Sequence, residues 1–126
     1  MSDVTIYHNT RCGTSKNTLM MIRDAGIEPT IVEYMKDPPS RDTLRELARR
    51  MGVPVRGLLR EKEPIYAELD LADPKWSDEQ LLERIERHPV LLNRPIVVTD
   101  RGAALCRPAD KVLELLPGAS GAWAAS

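Results

Sequence analysis

The N-terminal part of the chain has the pattern of one strand–helix–strand unit. The alternating, β-branched run Val4–Tyr7 predicts a first strand. Apolar spacing then predicts a helix over about Thr14–Ala25, with Thr14 or Ser15 as its N-cap and Gly26 as its stop. A second strand is predicted over Thr30–Tyr34. Because two strands joined in one sheet by a helix run parallel with a right-handed crossover, this pattern leaves few folds open.

The C-terminal part of the chain has the pattern of two strands followed by a helix. Ile96–Thr99 predicts a third strand, Asp100–Gly102 a turn, and Ala103–Cys106 a fourth, weaker strand. A final helix is predicted over Pro108–Leu116. The order β-α-β and then β-β-α is that of the thioredoxin fold, with helices inserted between its halves. We therefore predict an α/β, thioredoxin-like single domain over residues 1–116, with a helical insertion at about 38–92 and a flexible C-terminal tail over 117–126.

The inserted segment carries clear helix boundaries. Ser40 is predicted to cap a helix that ends at Gly52. Ser77 and Gln80 have the spacing of a capping box and predict a second helix that stops near His88. Between the two helices, scattered prolines over residues 53–76 indicate short helical turns.

Cys12 lies in the turn between the first strand and the first helix. A thiol there meets the N–H groups of the first helical turn, and those donors and the helix dipole favour thiolate over thiol. His8, Arg11 and Lys16 are close in sequence and could add positive potential. We predict that Cys12 is a reactive nucleophile. The alternative is an inert, half-buried cysteine at a helix start.

The neighbours of Cys12 limit its chemistry. Cys12-Gly13-Thr14-Ser15 has serine where a disulfide-exchange motif, Cys-x-x-Cys, needs a second thiol. Thr18 stands where the Cys-x5-Arg motif of small phosphatases needs arginine. The site is therefore a monothiol that depends on an outside thiol to complete turnover. Cys106 could resolve Cys12 in principle, but its place at a strand end favours a role as core or partly exposed filler.

Three arginines are candidate anion ligands. Arg94 and Arg107 each precede a proline at a strand end, and Arg60 lies in the insertion. Guanidinium groups bind tetrahedral oxyanions bidentately and keep their charge, so arginines around a thiolate suggest an anionic substrate. Arg56, one turn from Arg60, is expected not to be a ligand.

Two further residues bear on the same site. Pro95 directly precedes the third strand, where thioredoxin-like folds usually carry a cis-proline facing the active-site cysteine, and we expect the cis form here. His8 is four residues before Cys12 and could support the thiolate electrostatically or by a hydrogen bond. The alternative for His8 is a structural role.

Composition and charge argue against several classes of protein. The net charge of −1 provides no field to recruit nucleic acid. No apolar run approaches the roughly 20 residues that span a bilayer, so we expect no membrane association. The N-terminus lacks the pattern of a secretion signal, and the two cysteines are best interpreted as cytoplasmic thiols. Metal-ligand spacing and glycine-rich phosphate loops are missing from the sequence.

The sequence resembles the glutaredoxin-coupled arsenate reductases of bacteria from about Val4 to Leu116. The similarity is specific as a combination of motifs, none of which is specific alone. Position 10 departs from the pattern, since it holds threonine where relatives commonly have proline, and Arg11 places a bulky cation beside the nucleophile. The matching segments are Ile6–Asn9, Cys12–Ser15, Asn17–Leu19, Glu28–Ile31, Pro38–Arg41, Leu58–Arg60, Asn93–Thr99 and Leu105–Pro108.

The resemblance implies that Cys12 attacks arsenate, that glutathione forms a mixed arsenic–sulfur intermediate, and that glutaredoxin reduces it so that arsenite leaves. It implies oxyanion binding by Arg60, Arg94 and Arg107, and a role for His8 in lowering the thiol pKa. Glutathione is then a co-substrate, with no bound cofactor or metal, and we expect a monomer. The alternative is a thiol-redox or regulatory relative with a non-arsenate substrate.

Overall fold

A four-stranded sheet forms the centre of the fold. In the computed structural model, which describes residues 4–116, the strands are β1 (Thr5–His8), β2 (Thr30–Glu33), β3 (Ile96–Thr99) and β4 (Gly102–Leu105). Their order in the sheet is β2-β1-β3-β4. The β1–β2 pair is parallel, while β1–β3 and β3–β4 are antiparallel. This is the mixed α/β, thioredoxin-like fold that the order of elements predicts. The predicted tail over 117–126 lies outside the described residues.

The sheet belongs to the first of two compact units. Among the described residues, 4–34 and 94–116 form this unit, and Met35–Asn93 form the second. In the first unit, helix α1 (Gly13–Asp24) packs against a C-terminal 3-10 helix (Ala109–Glu114). The core between these elements and the sheet consists of aliphatic side chains and one thiol, chiefly Ile6, Ile22, Val97, Cys106, Val112 and Leu116.

Helix α1 begins earlier than the sequence predicts, and this places the cysteine. Its N-cap is Cys12, with φ −98° and ψ 119°, and not Thr14 or Ser15. Ser15 is unavailable as a cap because its hydroxyl is engaged by His8, the last residue of β1, and by Asn9, which follows it. The first strand is also displaced by one residue and includes His8.

The last predicted helix takes a tighter form. Over Ala109–Glu114 the chain is a 3-10 helix. The N–H groups of Lys111 and Leu115 donate to the carbonyls of Pro108 and Val112, three residues back. The prediction of a regular helix over Pro108–Leu116 is therefore wrong in type. The fourth strand, at Gly102–Leu105, begins and ends one residue before the predicted Ala103–Cys106.

The second unit is helical. It contains α2 (Arg41–Met51), α3 (Pro64–Glu68) and α4 (Asp78–Arg87), with 3-10 helices at Val55–Leu58 and Pro89–Leu91. Ser40 caps α2 by accepting the Thr43 N–H, and Gly52 ends the helix in the left-handed region at φ 71°.

The predicted capping box of α4 is confirmed. The Ser77 hydroxyl accepts the Gln80 N–H at 3.2 Å, and the Ser77 N–H donates to the Gln80 side chain at 2.9 Å. Two unsatisfied N–H groups at the helix start thereby find partners. Over residues 4–116, no helix combines the length and the hydrophobicity that a bilayer crossing requires.

Candidate active site

Cys12 lies at the junction between the turn after β1 and helix α1. Its N–H donates to the Asn9 carbonyl at 3.0 Å, and its carbonyl accepts the Lys16 N–H at 3.0 Å, which begins the helix. The side chain is partly exposed. The thiol is therefore held at a helix N-terminus and remains accessible to a small reagent.

The surroundings of the Cys12 sulfur favour its charged form. Burial alone would raise the pKa of Cys12, but the backbone N–H of Ser15, the Arg107 guanidinium and the backbone N–H of Thr14 together lower it below the usual value. The sulfur makes no capping hydrogen bond of ordinary geometry. The sulfur is a large, diffuse acceptor. The N–H groups stabilise its negative charge in the way that helix N-termini stabilise anions. The thiolate that these groups favour is the nucleophilic form of the side chain.

Arg107 lies beside the thiol. Its Nη1 lies 3.6 Å from the Cys12 sulfur and also donates to the Arg94 carbonyl at 3.0 Å. The Arg107 guanidinium is thus held by the Arg94 carbonyl while it faces the Cys12 sulfur. The structure brings together Cys12, Arg107 and the backbone of Arg94.

Both candidate arginines of the first unit precede cis peptide bonds. The Arg94–Pro95 bond is cis, as predicted, and the Arg107–Pro108 bond is also cis, which the sequence did not indicate. The Cys106 N–H donates to the Pro95 carbonyl at 2.9 Å, so the two proline segments are joined directly at the edge of β3 and β4. Arg94 itself is largely buried, with 9% of its surface exposed.

Arg60 belongs to the second unit. Its Nε donates to Glu63 at 3.1 Å in a partly buried ion pair, and its N–H donates to the Leu91 carbonyl at 2.7 Å. Arg56, set aside as a ligand, has a structural role instead. Its guanidinium donates to the Leu71 and Asp73 carbonyls at 2.5 and 3.1 Å.

His8 contacts the site through Ser15. The His8 Nδ1 lies 2.5 Å from the Ser15 hydroxyl, and both side chains are buried. Burial lowers the pKa of His8, with nearby Arg23 and Lys16 lowering it further against the opposing charge of Glu33. Together these effects favour the uncharged imidazole over the charged one. Of the two ways in which His8 could support the thiolate, these observations favour the hydrogen bond, made to Ser15, over positive potential.

Asn9 and Ser15 are parts of the site that sequence reasoning missed. The Ser15 hydroxyl accepts the Asn9 N–H at 3.1 Å, and the Asn9 side-chain oxygen accepts the Arg11 N–H at 2.9 Å. An asparagine directly after a strand is a signal for such a turn, because its side chain bonds the backbone two residues on. That signal was available for Asn9. The buried contacts of Ser15 had no local signature.

The second cysteine is enclosed in the core. Cys106 is fully buried, and burial raises the pKa of its thiol to about 12. A thiol that stays protonated and covered is a poor nucleophile. This confirms the core role predicted for Cys106. Within the described part of the chain, no cluster of three or more His, Cys, Asp or Glu side chains could hold a metal ion.

The fold and the site together define a thioredoxin-like protein with one activated thiol at a helix N-terminus and an arginine beside it. Residues 7–115 match the ArsC family, and the chain belongs to that family. It is 56% identical over 119 residues to an arsenate reductase of Escherichia coli, covering 94% of this chain and 84% of the relative. It is 57% identical over 114 residues to an arsenate reductase of Rhizobium meliloti, covering 90% and 81% of the two chains.

A solved structure has the same fold. The structure described as an arsenate reductase from Vibrio cholerae superimposes with a TM-score of 0.88 at 40% identity, covering 91% of this chain and 98% of that one. The fold described above therefore has a counterpart over most of the chain.

Proposed function

We propose that this chain is an arsenate reductase in which the Cys12 thiolate is the nucleophile. The observation that carries the proposal is the short distance of 3.6 Å between the Arg107 Nη1 and the Cys12 sulfur. Although burial opposes it, the helix N–H groups and this arginine lower the pKa of the thiol. An anion-stabilising environment around a nucleophile suits a substrate that is itself an oxyanion. The activity named for relatives at 56–57% identity supports arsenate as that oxyanion.

The chemistry has to deliver two electrons to arsenic. The Cys12 sulfur attacks As(V), forming a sulfur–arsenic bond, and an arsenate oxygen takes up protons and leaves as water. A glutathione thiol then displaces a second oxygen in the same way. Attack by a glutaredoxin thiol on the glutathione sulfur forms a disulfide between them, and the electron pair of the broken sulfur–arsenic bond reduces As(V) to As(III). Hydrolysis of the remaining bond to Cys12 releases arsenite and restores the thiol.

The arginines are assigned to the arsenate oxygens. Arg107 already lies at the sulfur. Arg94 precedes β3, which lies in the sheet beside β4, the strand that leads to Arg107. We assign Arg60 to the same role because of its resemblance to a family oxyanion ligand. His8, as a neutral side chain on Ser15, supports the turn that carries the thiol.

The source of electrons is proposed to be external. Ser15 stands in the place of a resolving thiol, and Cys106 is buried with a pKa of about 12, so neither offers an internal disulfide partner. Glutathione and glutaredoxin are the proposed reductants. The cytoplasm, where these reductants keep thiols reduced, is the proposed location.

The test of the proposed function is a coupled assay on the purified full chain. Glutathione, glutaredoxin, glutathione reductase and NADPH are supplied, and arsenate-dependent NADPH oxidation is followed together with arsenite formation. Phosphate at equal concentration is the matched tetrahedral control and should support no oxidation. Absence of arsenate-dependent turnover would contradict the proposal and favour a thiol-redox or regulatory relative that acts on another substrate.

The arginine at the sulfur gives a sharper expectation. Arg107→Lys keeps the positive charge but loses the planar fork that binds an oxyanion bidentately. A charge-assisted hydrogen bond contributes about 1.5–3 kcal/mol, so we expect kcat/KM for arsenate to fall about 10- to 150-fold. Arg49→Lys, at an exposed arginine of α2 paired with Glu46, is the matched control and should behave as wild type. An Arg107→Lys protein with unchanged kcat/KM would make Arg107 a structural residue.

A further inference from the structure

Asn9 is the most densely hydrogen-bonded polar residue of the turn that carries the thiol. It follows β1 directly and is 7% exposed. Its carbonyl accepts the Cys12 N–H at 3.0 Å, and its side-chain oxygen accepts the Arg11 N–H at 2.9 Å. Its own N–H donates to the Ser15 hydroxyl at 3.1 Å, and its side-chain Nδ2 donates to the Tyr34 hydroxyl at 3.0 Å. One residue thus joins both ends of the turn to the core.

The orientation of the Asn9 amide is determined by its partners. The Arg11 N–H can only donate, so the oxygen of the amide must face it, and the NH₂ group then faces Tyr34. Tyr34 is fully buried and directly follows β2, the parallel neighbour of β1. The amide is therefore anchored to a buried side chain beside the sheet and not to solvent.

The turn decides where the Cys12 sulfur points. Cys12 has an extended backbone as the N-cap of α1, and its sulfur meets the helix N–H groups only if the turn from Asn9 to Cys12 keeps its shape. A hydrogen bond from the Asn9 side chain to the backbone two residues on is the device that closes such turns. Without it, the turn has more conformations available, and the sulfur spends less time against its donors.

We propose that Asn9 is a positioning residue for Cys12: its buried amide, held by the Tyr34 hydroxyl, maintains the turn that places the sulfur against the N–H groups of α1 and beside Arg107. This inference deepens the proposed function, since it concerns the same thiol. It does not depend on the identity of the substrate, because the position of the sulfur can be measured without arsenate.

The experiment measures alkylation of Cys12 by iodoacetamide in the full-length protein from pH 5 to 9. In Asn9→Ala, we expect the profile to move to higher pH and the rate near pH 6 to fall about fivefold, the effect of about one neutral hydrogen bond. Tyr34→Phe removes only the anchor of the amide and should give a smaller shift in the same direction. Thermal unfolding, followed by circular dichroism, is recorded for each variant.

Two matched controls separate positioning from general destabilisation. Asn17→Ala changes an exposed asparagine of α1, and Tyr66→Phe removes a hydroxyl from a buried tyrosine of the second unit. Both should leave the alkylation profile unchanged. If Asn9→Ala lowers the melting temperature with an unchanged profile, Asn9 is merely structural and the inference is overturned. Should Asn9→Ala not fold, an unchanged profile in Tyr34→Phe overturns it equally.

The two proposals fail in different ways. A shifted profile in Asn9→Ala supports the positioning role even if the wild-type protein shows no turnover with arsenate, and that result would overturn the proposed function alone. Turnover by the wild type with an unshifted Asn9→Ala profile would overturn the positioning role alone.

Discussion

Replacement of Cys12 by serine is expected to abolish arsenate reduction while the fold is retained. The serine hydroxyl does not ionise near neutral pH, so the attack on arsenic loses its nucleophile, although the N–H groups of α1 and Arg107 remain in place. We expect no more than a few per cent of wild-type turnover in the coupled assay. Circular dichroism should show an unchanged secondary structure, since Cys12 is partly exposed and its backbone still caps the helix.

Cys106→Ala is the matched control for this substitution. It removes a thiol of the same chain that is fully buried and kept protonated. We expect nearly unchanged turnover with some loss of thermal stability, because a cavity is left in the core of the first unit. Substantial turnover by folded Cys12→Ser protein would remove Cys12 from the mechanism. A stalled Cys12 adduct in Cys106→Ala would instead identify Cys106 as a resolving thiol.

The second large effect concerns the reductant. Turnover should require glutathione together with glutaredoxin, and thioredoxin with its reductase should support little or none. The reason is that this mechanism forms no internal disulfide for thioredoxin to reduce. Position 15 is a serine whose hydroxyl is hydrogen-bonded to His8 and Asn9, and Cys106 is enclosed in the core. The measurement is NADPH oxidation with each reductant system supplied separately to the same preparation.

The outcome of that assay discriminates between mechanisms. Each reductant system is first checked on a disulfide substrate of its own, so that a negative result reflects this protein. Robust multiple turnover with thioredoxin alone would contradict the monothiol mechanism and point to a second cysteine that becomes exposed. Glutathione alone, without glutaredoxin, should give at most a slow first turnover.

The fold could be predicted where a local pattern has one dominant physical meaning. Serine three residues before glutamine predicted the capping box of α4, and Gly52 predicted the left-handed end of α2. The cis form at Pro95 was predictable only after the order of strands had indicated the fold. The ends of elements were less predictable, since β1 and β4 are each displaced by one residue.

The connections within the site depended on contacts distant in sequence. The lowered pKa of His8 could not be predicted from the adjacent residues of the sequence, because the burial that lowers it comes from the packing of β1 in the sheet. Likewise, the role of Asn9 depends on Tyr34, which is 25 residues away. The lowered pKa of Cys12 could be anticipated in part, because its largest lowering contribution comes from the start of the helix that follows it. The contribution of Arg107, 95 residues away, could be identified only from the fold.

Because Cys106 is enclosed in the core, its reaction with a thiol reagent reports whether the protein is folded. A folded molecule consumes one equivalent of a thiol reagent at Cys12, and it consumes a second equivalent only when the core around Cys106 opens. Molecules that carry one label are therefore folded with an accessible Cys12, and molecules that carry two labels have unfolded. Both numbers come from a single intact-mass spectrum, so the specific activity of any variant can be corrected for its folded fraction without a separate probe.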